Sequence, residues 1–143
     1  MAMILRYVTA RFSAGHRVLG SNTCGHIHGH DYTVRMRLMS RLPESQVDGI
    51  GEVPLANLGS SLQAYCNTAL HGKFLVSNED DLNFGAFGTE MVGLNYNPTL
   101  ENLARFFGEV VGPFLPFANA CYVAAVEISS ADEQATWVYE IDD

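Results

Sequence analysis

The sequence predicts a single α+β domain. A four-stranded antiparallel sheet, in the order strand, strand, helix, helix, strand, strand, carries two helices on one face. Three observations lead there. Residues 30–39 alternate, with Tyr32, Val34, Met36 and Leu38 on one side and Thr33, Arg35 and Arg37 on the other, the pattern of a half-buried strand. Two later stretches repeat apolar residues at three- and four-residue intervals, as amphipathic helices do. The 143 residues suffice for one ordinary core and argue for one domain, 1–143.

The first strand is residues 4–12, rich in β-branched and aromatic side chains and free of breakers. Gly15, Gly20, Ser21, Asn22 and Gly25 make residues 13–27 a loop, and the second strand follows at 30–39. Pro43 to Gly51 is a turn-rich connection. Pro54 suits a first helical turn, and Leu55, Leu58, Leu62, Tyr65 and Ala69 carry that helix to about Leu70, where Gly72 ends it. Residues 76–96 read as one long loop, of a length that is often functional. Asn97-Pro98-Thr99 opens the second helix, capped either by Asn97 or by Thr99 with Asn102 three residues on. Leu100, Leu103, Phe107, Val110 and Val111 form its stripe, and Gly112-Pro113 stops it. Residues 120–128 and 135–141 are the last two strands, joined near Ala131-Asp132-Glu133. A four-stranded sheet leaves two open edges, which association of subunits would cover.

Composition excludes several classes. The net charge is −8, and no basic run is present, so nucleic acid and anionic membrane surfaces are poor partners. No apolar run approaches the roughly 18–20 residues that span a bilayer. The N-terminus lacks the cationic and apolar regions of a secretory signal. Three cysteines at scattered positions suit a reducing cytoplasm better than a disulfide framework. Cys66 and Cys121 sit in apolar surroundings and read as buried small hydrophobes.

The chemistry concentrates in Phe12-Ser13-Ala14-Gly15-His16 and Cys24-Gly25-His26-Ile27-His28-Gly29-His30. Of the five histidines, only His71 lies elsewhere. His28 and His30 are two residues apart, so on an extended chain they share a face. Pairing of the first two strands returns His16 towards them. Three imidazoles with an open position are the ligand set of a catalytic Zn2+ site, whereas structural sites are closed by four ligands. Cys24 is either the fourth ligand or a thiolate beside the metal. Arg17 and Lys73 are candidate contacts for an anionic substrate group.

These residues resemble the 6-pyruvoyltetrahydropterin synthase family, including its 6-carboxytetrahydropterin synthase branch. The matching stretches are Phe12-Ser-Ala-Gly-His16, Cys24-X-X-X-His28-Gly-His30-Asp31-Tyr32, Asn97-Pro98-Thr99-Leu100-Glu101-Asn102-Leu103-Ala104 and Val126-Glu127, in family order. The cysteine spacing is closer to the carboxy branch. The resemblance implies a tunnelling fold, in which three subunits close a barrel and two trimers stack into a hexamer, with active sites between subunits. It implies a zinc-dependent lyase acting on 7,8-dihydroneopterin triphosphate. His16, His28 and His30 hold the metal in that picture, and Cys24 is the proton-transfer base. Glu127 anchors the pterin with Thr99 as helper. A carboxylate suits that role because it accepts two parallel hydrogen bonds from a 2-amino-pyrimidinone edge.

One family element is altered. The family carries Leu-Asp-His after its first helix, where the Asp-His pair assists the cysteine; here the stretch reads Leu70-His71-Gly72. The carboxylate is missing in either alignment, and an imidazole cannot orient and charge-stabilise a partner imidazole as Asp does. His71 stays a catalytic candidate, and His26 is a candidate substitute proton carrier. The alternatives to the family reaction are a paralogue with other pterin side-chain chemistry and a non-catalytic pterin-binding protein.

Overall fold

Two strands of 15 residues form the spine of the molecule. β1 (Ala2–His16) and β2 (His28–Leu42) pair antiparallel without interruption from Ala2↔Leu42 to His16↔His28. The structure is a computed structural model that describes residues 2–21, 25–42, 55–81, 90–115 and 121–139. Both strands run beyond the expected 4–12 and 30–39. Gly15, read from sequence as loop, faces Gly29 inside the ladder. The ring of Phe74 fills the space beside Gly15, where a Cβ would lie 2.4 Å from Phe74 Cε1. Gly15 answers to close packing rather than to a turn.

The sheet has six strands, not the expected four, in the order β4-β3-β1-β2-β5-β6. β3 (Phe74–Ser77) and β4 (Met91–Leu94) are the two additions, and they correct the reading of 76–96 as a loop. β3 joins β1 in parallel at Gly15↔Phe74 and His16↔Leu75, and β4 joins β3 in parallel. Strands of four residues are too short for two-residue alternation to declare itself. β5 (Cys121–Ser130) and β6 (Glu133–Val138) complete the sheet as an antiparallel hairpin on β2.

Two helices cover one face. α1 (Leu55–Tyr65) widens into a π-helical turn over Cys66–Leu70. α2 (Leu100–Phe106) widens likewise over Phe107–Val111 and ends in a 3-10 turn at Gly112–Phe114. The core lies between them and the even-numbered side of the long strands. Val8, Ala10 and Phe12 of β1 oppose Met36, Val34 and Tyr32 of β2, all buried, with Val126 and Ile128 of β5 beside them. Leu58, Leu62, Leu70, Leu103, Phe107 and Val111 close the layer from the helices. In the widened end of α2, Val111 takes the buried position, while Val110, expected in the stripe, is 42% exposed. Cys66 is fully buried, and burial pushes its thiol up to about 12, so it is an inert core residue as expected. The side chain of Cys121 lies outside the described residues.

The odd-numbered side of the same strands is polar. Its edge towards α1 is sealed by side chains. Gln63 accepts from the Arg11 N–H (2.9 Å) and donates to the Arg11 carbonyl (2.7 Å). Ser13 N–H donates to His71 Nδ1 at 3.0 Å, Gly72 N–H to the Ser13 carbonyl, and Gly15 N–H to the Lys73 carbonyl. No helix among the described residues is long and apolar enough to cross a membrane.

Candidate metal centre and substrate cavity

The end of the β1–β2 hairpin builds a cluster of three imidazoles. His16 is the last residue of β1, His28 is directly opposite, and His30 is one same-face step along β2. Period-2 geometry puts all three on the helix-covered face. One ligand atom from each lies within 4.8 Å of the others. His16 is buried, and the other two are half-buried.

The hydrogen bonds fix the tautomers of two rings. His16 Nδ1 donates to the Pro98 carbonyl at 2.8 Å, and His28 Nδ1 donates to the His26 carbonyl at 2.8 Å. A carbonyl can only accept, so each ring spends its single neutral-form proton there. Both Nε2 atoms are left bare, and they face each other at 2.8 Å. Two lone pairs at that distance repel unless a cation stands with them. His16 also resists protonation: burial, with the nearby His28 and His30 charges adding to it, lowers its pKa to about 4 against the opposing Pro98 bond. Burial and His28 lower that of His30 too, against the opposing charge of Glu133. Neutral imidazoles with lone pairs converging on one point fit a divalent metal of the zinc type.

The support for His16 comes from far along the chain. Asn97 clamps Leu19, its Oδ1 accepting the Leu19 N–H (3.0 Å) and its Nδ2 donating to the Leu19 carbonyl (3.1 Å). Asn102 Nδ2 donates to the Asn97 carbonyl at 2.9 Å. Pro98, which receives the His16 ring, is thereby held between this clamp and the start of α2. Thr99 is the α2 cap, its hydroxyl accepting from Asn102 N–H at 3.2 Å. That settles the two capping alternatives in favour of Thr99.

A cavity of about 700 Å³ opens over His16 and His30. Tyr32 and Ser130 form its floor on the sheet, and Thr99 and Glu101 border it from α2. The β5–β6 turn, with Asp132 and Glu133, closes the far side. The Tyr32 hydroxyl lies 3.4 Å from His16 Nδ1. Of the residues expected from sequence, His16, His28, His30 and Thr99 are therefore brought together.

Others are not. Glu127 pairs with Arg35 in the ladder, on the opposite face of the sheet from the histidines. There it binds Arg37 and stands 3.7 Å from Arg35. Val126 and Ile128 take the cavity-side parity, so alternation turns Glu127 away. His71 is exposed and engaged with the β1 edge, and it does not line the cavity. Arg17 does not project a free charge: Asp80 holds it through Nε (2.9 Å) and Nη2. Lys73 pairs with Glu90 at 2.8 Å beside a second hollow on the opposite face, near Ser13 and Asp31. His26 is exposed, with its ring centroid 4.8 Å from that of His28. Cys24 lies outside the described residues.

Tyr32, Glu101, Ser130 and Glu133 border the cavity but escaped sequence reasoning. Tyr32 was within reach, because it shares the alternation of His28 and His30. Glu133 was not, since its position depends on the two-residue turn that pairs it with Ser130.

Comparison with known proteins agrees with this architecture. Residues 6–141 match the family model of 6-pyruvoyl tetrahydropterin synthase. An uncharacterized protein of Wolinella succinogenes superposes with a TM-score of 0.74 at 17% identity, covering 98% of this chain and 100% of that one. A catalytic-residue mutant of Plasmodium vivax 6-pyruvoyltetrahydropterin synthase gives 0.70 at 15% identity, covering 99% and 100%. The Caenorhabditis elegans 6-pyruvoyl tetrahydropterin synthase gives 0.66 at 19%, covering 98% of each chain. At these identities the structures speak for the fold. No curated protein sequence matches the chain. With the family model spanning nearly its whole length, the chain belongs to the 6-pyruvoyl tetrahydropterin synthase family.

Proposed function

We propose that the protein is a zinc-dependent lyase acting on the side chain of a dihydropterin, 7,8-dihydroneopterin triphosphate or a close relative, with chemistry nearest the 6-carboxytetrahydropterin branch. One observation carries the reading: two tautomer-locked imidazoles present bare Nε2 atoms to each other at the mouth of a cavity large enough for a pterin. His16, His28 and His30 are the ligands. Zinc bound there supplies Lewis acidity towards a substrate oxygen.

The chain's own groups do the rest. Thr99 and Ser130 offer hydroxyls to the bound ring. Glu133 is the strand-borne carboxylate that borders the cavity, and it is the group placed to accept the N–H pair of an amino-pyrimidinone edge. Glu127, held by Arg35 and Arg37, serves the opposite face. Cys24 is assigned the proton-transfer step. The open strands β4 and β6 suit assembly into the trimer or hexamer that the family resemblance implies.

One observation favours a second reading, of other side-chain chemistry or of binding without turnover: His71 is tied to the Ser13 N–H and away from the cavity. The test is incubation of zinc-loaded protein with phosphorylated and unphosphorylated dihydropterins, with products identified by mass. A product lacking side-chain atoms, and absent with Cys24→Ala and His28→Ala, is expected. Intact pterin in the presence of about one zinc per chain would remove the lyase reading.

A further inference from the structure

β1 ends at His16, and the chain then leaves the sheet. The His16 backbone is held on both sides, by His28 of β2 in antiparallel pairing and by Leu75 of β3 in parallel pairing. The next residue carries a restraint of its own. The Arg17 guanidinium grips the Asp80 carboxylate with two prongs, Nε donating to Oδ2 at 2.9 Å and Nη2 donating to Oδ1. The Asp80 side chain is 1% exposed and that of Arg17 21%, so the acidic end of the pair lies out of water.

Asp80 is itself fixed. It follows the turn that ends β3, where its N–H donates to the Ser77 carbonyl at 2.9 Å and the Glu79 N–H donates to Ser77 Oγ at 3.2 Å. Ser77 is buried. Asn78 N–H donates to the Leu94 carbonyl of β4 at 2.7 Å. Asp80 thus stands on the β3–β4 pair, and β3 already pairs with His16. It lines neither the cavity over His16 nor the hollow beside Lys73.

A buried ion pair is a poor source of net stability, because desolvation offsets most of the attraction. What a two-pronged contact between guanidinium and carboxylate supplies is direction. We propose that Asp80 is a positioning residue of the metal centre. Through Arg17 it fixes the path of the chain where it leaves His16, and so holds His16 Nε2 where it converges with His28 and His30. Pro98 steadies the ring of His16, and Asp80 steadies the backbone beneath it. The proposal rests on reading the three imidazoles as metal ligands.

The experiment compares the full chain with Asp80→Asn, which keeps the shape of the side chain and removes its charge. Competition with a chelator reads zinc affinity, and the visible absorption of cobalt bound in place of zinc reads ligand geometry. Asp80→Asn is expected to weaken zinc binding by about tenfold or more and to alter the cobalt bands. Arg17→Lys keeps a cation against Asp80 but loses the fork, and is expected to fall between the parent and Asp80→Asn. Glu79→Gln removes an exposed charge from the same turn and should leave both readouts at parent values. Parent affinity and parent cobalt bands in Asp80→Asn would overturn the proposal, whatever happens to the melting temperature, and leave the metal reading standing. Should Asp80→Asn not fold, the same result in Arg17→Lys would overturn it. A parent chain that binds zinc no better than His28→Ala would overturn both.

Discussion

The His16 ring and the Pro98 carbonyl, 82 residues apart in sequence, are joined by a hydrogen bond of 2.8 Å. The three-histidine cluster is thus tied to the residue that precedes the α2 cap. Asn97 sets that residue by clamping Leu19 on both its backbone groups. Asn97→Ala is expected to weaken zinc binding by roughly tenfold or more while all three ligands remain, as loss of supporting hydrogen bonds does at metal sites. Competition with a chelator reads the affinity; an unchanged constant would mean that His16 is positioned without the clamp.

Zinc bound only by the folded chain adds stability in proportion to the logarithm of its free concentration. The melting temperature should therefore climb with added zinc for the parent chain and stay flat for His28→Ala. A parallel rise in both would place the ion somewhere else.

The metal-free protein should lose stability in mildly acidic solution. The pKa of His16 is lowered to about 4 in the fold, against 6.5 for the free side chain. Below 6.5 the unfolded chain takes a proton that the folded chain refuses, so stability present above that pH is lost as the pH falls to about 4. His30 shifts in the same direction. Denaturant midpoints at several pH values check the sign, and His16→Ala should flatten the slope in this window.

Gly108 lies under Trp137, and a Cβ there would stand 2.2 Å from the indole Cε3. Gly108→Ala is expected to cost about 1–3 kcal/mol through overpacking between α2 and β6. Tryptophan emission should report the displacement, because Trp137 is the only tryptophan.

Ala131 takes a φ of +51° in the β5–β6 turn, a conformation that Cβ disfavours. Ala131→Gly should stabilise the chain by up to about 1 kcal/mol, less the added freedom of glycine when unfolded. Chemical denaturation measures the balance.

Much of the site was legible in the sequence because its rule is local. A His-X-His pair on a strand shares a face whatever surrounds it, and Thr99 with Asn102 spells its own cap. Glu127 was read from the motif resemblance, which carries no information about strand parity. Its neighbours Val126 and Ile128 face the core, so the alternation already pointed Glu127 to the side of Arg35 and Arg37. The six-stranded sheet was hidden for another reason. β3 is held by Gly15 and His16 of β1 and by β4, contacts distant in sequence that no four-residue window contains. The bare Nε2 pair was equally out of reach, since it depends on carbonyls of Pro98 and His26 that carry no side-chain signal.

The Gln63 amide does for Arg11 what a neighbouring strand would do, satisfying its donor and its acceptor together. A foreign segment seeking to pair along that stretch of β1 would have to evict a primary amide that is itself steadied by Asn67 at 2.9 Å. The side chain works as a one-residue counterfeit strand. It guards that stretch of β1 against templated growth.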